Sequence, residues 1–316
     1  MGIEAPAEIK YGLIQAAIRK DDNLLNISQM CRIAGVSRSG FYSWIKAAPK
    51  REVQEKQDEA DFKLIQQAYD FRGYPKGARR IYMRLLHTGI RMNLKKIRRL
   101  MNKYNLKCTV RGPNAFRRMQ RAMRTSDIAP NLVNREFLKH GPRKILLTEI
   151  TYLFYINGRC YLSTILDAYT REVLAYKLSE EFDASFVLQT VDELLEKHRG
   201  SFLDNTAIVH SDQGCQYTSK AFIEKLRDEK FLQSMSRKGN CWDNAPQESF
   251  FGHMKDEIAD LIAESRTFEQ IQAIVDDWMD YYNNDRYQWD LEKLAPAEYY
   301  KYKESGKYPL PAYTKS

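Results

Sequence analysis

The 316-residue chain has no apolar run near the length of about eighteen residues that a membrane-spanning helix requires. Its opening, Met1-Gly2-Ile3-Glu4, starts no signal-peptide pattern, and the expectation is a soluble, cytoplasmic protein with no membrane partner. Cysteine is scarce as well. Cys31, Cys108, Cys160, Cys215 and Cys241 are scattered and form no C-x-x-C pair, which argues against a disulfide framework or a paired-cysteine zinc site and leaves reduced, structural thiols. At this length there is room for two or three domains and a sizeable core.

The most informative deficit is of negative charge in one place. From Phe71 to Ser126 there are 17 Lys and Arg and no Asp or Glu. The other residues hold 33 basic against 41 acidic groups, so this stretch carries the whole excess behind the net charge of +9. Most charge runs are solvated faces, but one this long repels itself unless a polyanion is its partner. Nucleic acid is the expected partner.

In chain order, a first helix is predicted over Ala7 to Lys20, with Ile9, Leu13, Ile14, Ala17 and Ile18 on one apolar stripe. Ile27 to Trp44 has the pattern of two short helices, capped by Ser28 and Ser37 and separated by a turn at Gly35. This is a helix-turn-helix reading, with Arg38, Ser39 and Tyr42 toward a DNA groove; a plain helical hairpin is the alternative. Pro49 to Asp61 is charged and poor in turns. Lys76 to His87 and Asn93 to Tyr104 are predicted as a second helical pair joined at Thr88-Gly89. In its later helix Ile97, Leu100, Met101 and Tyr104 form the buried stripe, while Lys95, Lys96, Arg98, Arg99 and Lys103 occupy the remaining surface as DNA contacts. Arg111 to Arg124 reads as a basic linker.

Farther along, the periodicity changes. Lys144 to Tyr155, Arg159 to Leu166 and Glu172 to Leu178 are predicted strands, with Asn157-Gly158 as a hairpin turn. Asp183 caps a helix reaching His198. A strand at Ala207, a helix from Ser219 to Glu229, a strand over Leu232 to Met235 and a helix containing Glu248 follow. This order supports a mixed α/β fold. A capping box at Thr267 and Gln270 then opens a helix with Ile271, Ile274, Val275, Trp278, Met279 and Tyr282 on one face.

Two acids stand at element ends. The apolar run at Ala207 breaks into His210-Ser211-Asp212-Gln213-Gly214, which puts Asp212 at a strand end. Asp243 or Asn244 can cap the following helix, and Pro246 falls in its first turn, so Glu248 lies near its beginning. Such acids are ordinarily solvated surface groups. With thirty-five residues between them, they also suggest two carboxylates converging on one point, where they repel unless a cation sits between them. Oxygen donors with no His or Cys cluster nearby point to magnesium or manganese. Lys255 lies on the same helix face as Glu248, about 10 Å along, where it could hold a substrate phosphate.

The wording around these acids is more specific. His210 to Ser219, Ser234 to Asn240, Asp243-Asn244-Ala245 and Glu248-Ser249-Phe250-Phe251 closely resemble the catalytic core of insertion-sequence-three family transposases, relatives of retroviral integrases with a DDE acidic triad. The resemblance covers roughly residues 27 to 300. It implies a ribonuclease H-like core, a mixed five-stranded sheet with helices, preceded by all-α helix-turn-helix DNA-binding units. The domains expected are a helix-turn-helix over 1–55, a second basic helical unit and linker over 56–125, a connector over 126–140, the integrase core over 141–265, and a C-terminal helix and tail over 266–316.

The same resemblance implies a bacterial, nucleoid-associated transposase that cuts and joins insertion-sequence ends. Its partners would be terminal inverted repeats, target DNA, further copies of itself on DNA and an upstream reading-frame product; its cofactors would be two Mg2+ or Mn2+ ions per active site. The family's first acid lies in a Thr-Asp-Ile-Thr-Tyr motif, matched here by Thr148-Glu149-Ile150-Thr151-Tyr152. The implied catalytic and metal-binding triad is therefore Glu149, Asp212 and Glu248, while Asp167 matches a different family position. Glu in first place moves the carboxylate outward by about 1.3 Å, and catalytic geometry responds to displacements of about 1 Å. That departure keeps open a second function, a transposase-derived DNA-binding protein or repressor with impaired catalysis. Tyr281 to Trp289, with Leu291 and Pro296 to Tyr299, resembles the C-terminal signature, whose aromatic residues and Arg286 either stack on DNA or pack against the core.

Overall fold

The computed structural model describes residues 5–20, 23–108, 128–202, 207–237 and 241–311. The basic segment from Arg111 to Arg124 lies outside them. The chain divides into two compact units, Met1–Gln67 and Ala68–Ser316.

In the first unit, α1 (Ala7–Ile18), α2 (Ile27–Ala34) and α3 (Arg38–Lys46) enclose a small core of Ile14, Met30, Cys31 and Phe41. The predicted stripe on α1 is split. Ile14 is buried and Ala17 packs beside it with Tyr11, whereas Ile9, Leu13 and Ile18 are exposed, because two short helices cover only one side of α1. The cap of α2 is Asn26 rather than Ser28: Asn26 accepts from the Gln29 amide at 2.9 Å and the Gln29 side chain answers at 3.0 Å, closing a capping box. Gly35 takes the left-handed turn at φ 65°, and Ser37 caps α3 as predicted. At Gly40 a Cβ would collide with the Tyr11 hydroxyl, so glycine lets α3 pass close to α1. The turn-poor segment after Ala48 belongs to one 23-residue helix, α4 (Ala48–Asp70), with Pro49 in its first turn.

The second unit is built on a five-stranded sheet. Its strands are β1 (Ile145–Tyr155), β2 (Gly158–Asp167), β3 (Val173–Ser179), β4 (Ile208–Ser211) and β5 (Leu232–Met235), in the order β3-β2-β1-β4-β5. The first three are antiparallel; β4 joins β1 and β5 joins β4 in parallel. This is the ribonuclease H-like arrangement expected. The turn between β1 and β2 sits one residue earlier than predicted, at Ile156-Asn157, and Gly158 opens β2 opposite Tyr155. Tertiary bonds set it there: the Ile156 amide donates to the Ser265 carbonyl at 3.1 Å and Asn157 Nδ2 to the Arg266 carbonyl at 2.7 Å.

Alternation along β1 divides the core. Leu147 and Leu153 face α9 (Ala245–Glu264) and α10 (Phe268–Asn284), whose Phe250, Met254, Val275 and Trp278 fill that side. Leu146 and Ile150 face α7 (Ser185–His198) and α8 (Lys220–Asp228). Glu149 lies on the α9 side, in line with Leu147 and Thr151.

The second helical pair, α5 (Ala78–His87) and α6 (Leu94–Lys103), belongs to this unit, as does α11 (Pro296–Ser305). Ionic and aromatic contacts tie its approach to the C-terminal helices. Arg72 pairs with Asp277, Asp280 and Asp285, and Tyr74 stacks on Tyr281 at 4.5 Å. Arg80 meets Glu257 of α9 at 2.6 Å. Tyr281, Tyr282, Arg286 and Tyr287 are buried, so most of the C-terminal signature packs inside the protein; Trp289 stays exposed.

Candidate active site

Parallel pairing sets the site. Leu147 of β1 stands opposite His210 of β4, and continuing that register by two residues puts Glu149 level with Asp212, just past the end of β4. Asp212 is fixed by a tight turn in which the Gly214 amide donates to its Oδ1 at 3.0 Å. Glu248 enters from the first turn of α9. The Gln247 side chain donates to Thr164 Oγ1 on β2, and Thr164 is the cross-strand partner of Glu149. That bond seats the start of α9 over the strand carrying the first acid.

Glu149, Asp212, Glu248 and Lys255 are all partly exposed. Burial, then the charges of Asp212 and Glu248, push the Glu149 carboxyl up to about 8, with Lys255 acting in the opposite sense. Burial also raises Asp212, against the pull of the Gly214 N–H. Lys255 is lowered by burial, and the Glu149 charge partly restores it. Glu149 thus lies within electrostatic reach of Asp212, Glu248 and Lys255. Among the described residues, no group of three or more His, Cys, Asp and Glu side chains is set closely enough to hold a metal ion. The donors at the site are all oxygen and mutually repulsive, a combination that fits a hard divalent cation.

Two neighbours stand apart from this chemistry. Asp167, fully buried at the end of β2, accepts from Arg143 at 3.1 Å, Thr170 Oγ1 at 3.0 Å and the Tyr169 amide at 2.9 Å, so it is committed to structure. His210 is also fully buried, with Nδ1 2.8 Å from Ser234 Oγ and Nε2 3.3 Å from Ser236 Oγ. Burial lowers its imidazole to about 4 and keeps it neutral, a hydrogen-bonded hub between β4 and β5.

Sequence reasoning missed what Asp243 and Asn244 do. The sequence offers Asp243 or Asn244 as the cap of α9, and neither side chain caps it. Asp243 accepts from Arg237 Nε at 2.9 Å, Arg135 Nε at 2.7 Å and Asn131 Nδ2 at 3.1 Å. Asn244 Nδ2 donates to Glu149 Oε2 at 3.1 Å. The advance signal is their place in a motif, five and four residues before Glu248. Elsewhere, Arg38, Ser39 and Tyr42 lie exposed on α3, with Arg38 5.7 Å from the Tyr42 ring centre. On α6, Lys95, Arg98, Arg99 and Lys103 are exposed and Lys96 partly so, opposite buried Ile97, Leu100 and Met101.

A five-stranded sheet in the order β3-β2-β1-β4-β5, with helices on both faces, is the ribonuclease H-like fold of the integrase-core class of protein. The Integrase core domain family matches residues 139–241 and a second Integrase core domain family residues 229–296, while the HTH-like domain family matches 56–114. The chain is 32% identical over 275 residues to the putative transposase InsK for insertion sequence element IS150 of Escherichia coli, covering 86% of this chain and 93% of that protein. It is 31% identical over 271 residues to an uncharacterized 31 kDa protein of insertion element IS600 from Shigella sonnei, covering 85% and 97%. Among solved structures, the catalytic core domain of BIV integrase is 17% identical, with a TM-score of 0.41 over 52% of this chain and 99% of that one. The chain belongs to the insertion-sequence-three family of transposases.

Proposed function

We propose that this chain cleaves insertion-sequence ends and joins them to target DNA by in-line phosphodiester displacement, with Glu149, Asp212 and Glu248 as its acidic triad. The observation that carries this reading is that Glu149 on the central strand and Asp212 past the end of β4 stand level in the parallel register, with Glu248 near enough in the first turn of α9 for its charge to reach Glu149. The triad would hold two Mg2+ or Mn2+ ions, which supply activation of the attacking oxygen and stabilisation of the leaving one. Glu149 and Asp212, level on neighbouring strands, set the floor of the site, and Glu248 closes it from α9. Lys255, two turns farther along α9, is positioned to hold a phosphate of the DNA strand.

Helices other than α9 grip the DNA. Arg38, Ser39 and Tyr42 of α3 reach a groove, and Lys95, Lys96, Arg98, Arg99 and Lys103 of α6 neutralise backbone phosphates. Joining two ends in one event requires at least two copies on the DNA.

The test is cleavage and joining of a labelled terminal-repeat duplex with Mg2+ and with Mn2+, comparing the chain with Asp212→Asn and Glu149→Asp. We expect products from the unmodified chain and a loss of at least about 100-fold in Asp212→Asn. An inactive chain that gains activity with Glu149→Asp would instead establish the DNA-binding repressor reading.

A further inference from the structure

We propose that Asn244 is a positioning residue that holds the Glu149 carboxylate in working orientation, an inference that rests on the reading of Glu149 as the first acid. Asn244 occupies the N-cap of α9, where an asparagine side chain ordinarily accepts from a helix amide. Here it makes no cap bond, and its backbone stands at φ −130°, ψ 29°. The side chain turns to the sheet instead, and Nδ2 donates to Glu149 Oε2 at 3.1 Å. Its Oδ1 is buried with no hydrogen-bond partner among the described residues, and the residue as a whole is 5% exposed. A buried asparagine that gives up both its cap and its acceptor bond is oriented by its one remaining bond, the one to Glu149.

The latch is anchored on both sides. Asp243, the preceding residue, is clamped by Arg135, Arg237 and Asn131. Three residues onward, Gln247 bonds to Thr164, the strand partner of Glu149. Asn244 therefore cannot follow a wandering carboxylate; the carboxylate must come to it. Reach matters as well. An aspartate at position 149 would end about 1.3 Å short, beyond hydrogen-bonding distance of an amide placed to meet a glutamate. Asn244 and Glu149 thus act as a matched pair, in which the amide removes the rotational freedom that the longer side chain brings.

The test is a double-mutant cycle on Mn2+ binding to the full chain, read by calorimetry, with the thermal midpoint recorded for each variant. Asn244→Ser keeps a good cap residue and cannot reach Glu149, so the helix start is preserved while the latch is removed. We expect Asn244→Ser to weaken Mn2+ binding about 10- to 100-fold, as loss of a partner behind a metal ligand does, with the midpoint unchanged or raised. In the Glu149→Asp background the same substitution should change Mn2+ binding by less than about twofold, because the bond is already gone. Equal losses in both backgrounds, undiminished binding in Asn244→Ser, or a loss that merely tracks a fall in midpoint would each overturn the proposal. An unmodified chain that binds no Mn2+ would overturn the site reading as well; binding that ignores Asn244 would overturn the latch alone.

Discussion

Asp243 shows how much one carboxylate near the site organises. Its side chain is 1% exposed, and both of its arginine partners remain about half exposed. The Arg237 guanidinium, with Arg135 and the Arg237 amide adding to it against burial, holds the carboxyl well below the usual range. Its folded pKa therefore lies below its unfolded value of about 3.9, so its contribution to stability is fully present above that value and lost as the pH falls through the folded pKa. Asp243→Ala should lower stability at pH 7 by about 1–3 kcal/mol in urea unfolding, and the deficit should shrink below about pH 4. A deficit that does not change with pH would show that the ion pairs contribute nothing. None of this was legible in the sequence: Arg135 lies 108 residues away in chain order, and local chemistry marked Asp243 as a cap. The positions of Asp212 past a strand end and of Glu248 in a first helical turn were legible, because a turn and a helix start mark them in the sequence.

At the scale of elements, α9 is the piece that joins the site to the helices around it. Its early turns carry Asn244, Gln247, Glu248 and Lys255, and Glu257 follows on the same helix. Glu257 accepts from Arg80 of α5, from Arg286 and from Trp278 Nε1 at 3.1 Å. Against the upward push of burial, Arg286 and Arg80 hold its carboxyl below the usual range. Removing it leaves a buried Arg286 without its carboxylate, so Glu257→Ala should cost about 3–5 kcal/mol by denaturant unfolding. A cost under about 1 kcal/mol would mean that water replaces the carboxylate at little expense.

The elements themselves were largely legible. Strand alternation, the Thr267 capping box and the Pro246 helix start all reappear in β1 to β5, α10 and α9. What sequence reasoning misplaced was decided by contacts between elements at α1 and at the β1–β2 turn, and by a local competitor at the α2 cap. The sequence shows α1 with one apolar stripe, and α2 and α3 cover only part of it. The Asn157-Gly158 turn slid by one residue because the segment after α9 captured Ile156 and Asn157. At Ser28, a better-placed Asn26 with Gln29 three residues on took the cap.

For the whole molecule, the DNA contacts and the chemistry we propose rest on different residues. The described part of the acid-free stretch from Phe71 spends several cations internally: Arg72, Arg80 and Lys76 bond to carboxylates or to backbone carbonyls. Lys95 and Arg98 of α6 are exposed. Replacing either by Gln should weaken DNA binding almost uniformly across sequences and reduce the slope of log affinity against log salt by about 1. An unchanged slope would place the phosphate contacts elsewhere.

The central claim is that Glu149, Asp212 and Glu248 work as one unit, and single-turnover joining rates for Glu149→Gln, Asp212→Asn, Glu248→Gln and the triple variant test it most directly. Groups that act together are grossly non-additive, so each single substitution should lower the rate nearly as far as all three do. Losses that multiply independently, or any single variant within about tenfold of the unmodified chain, would contradict it.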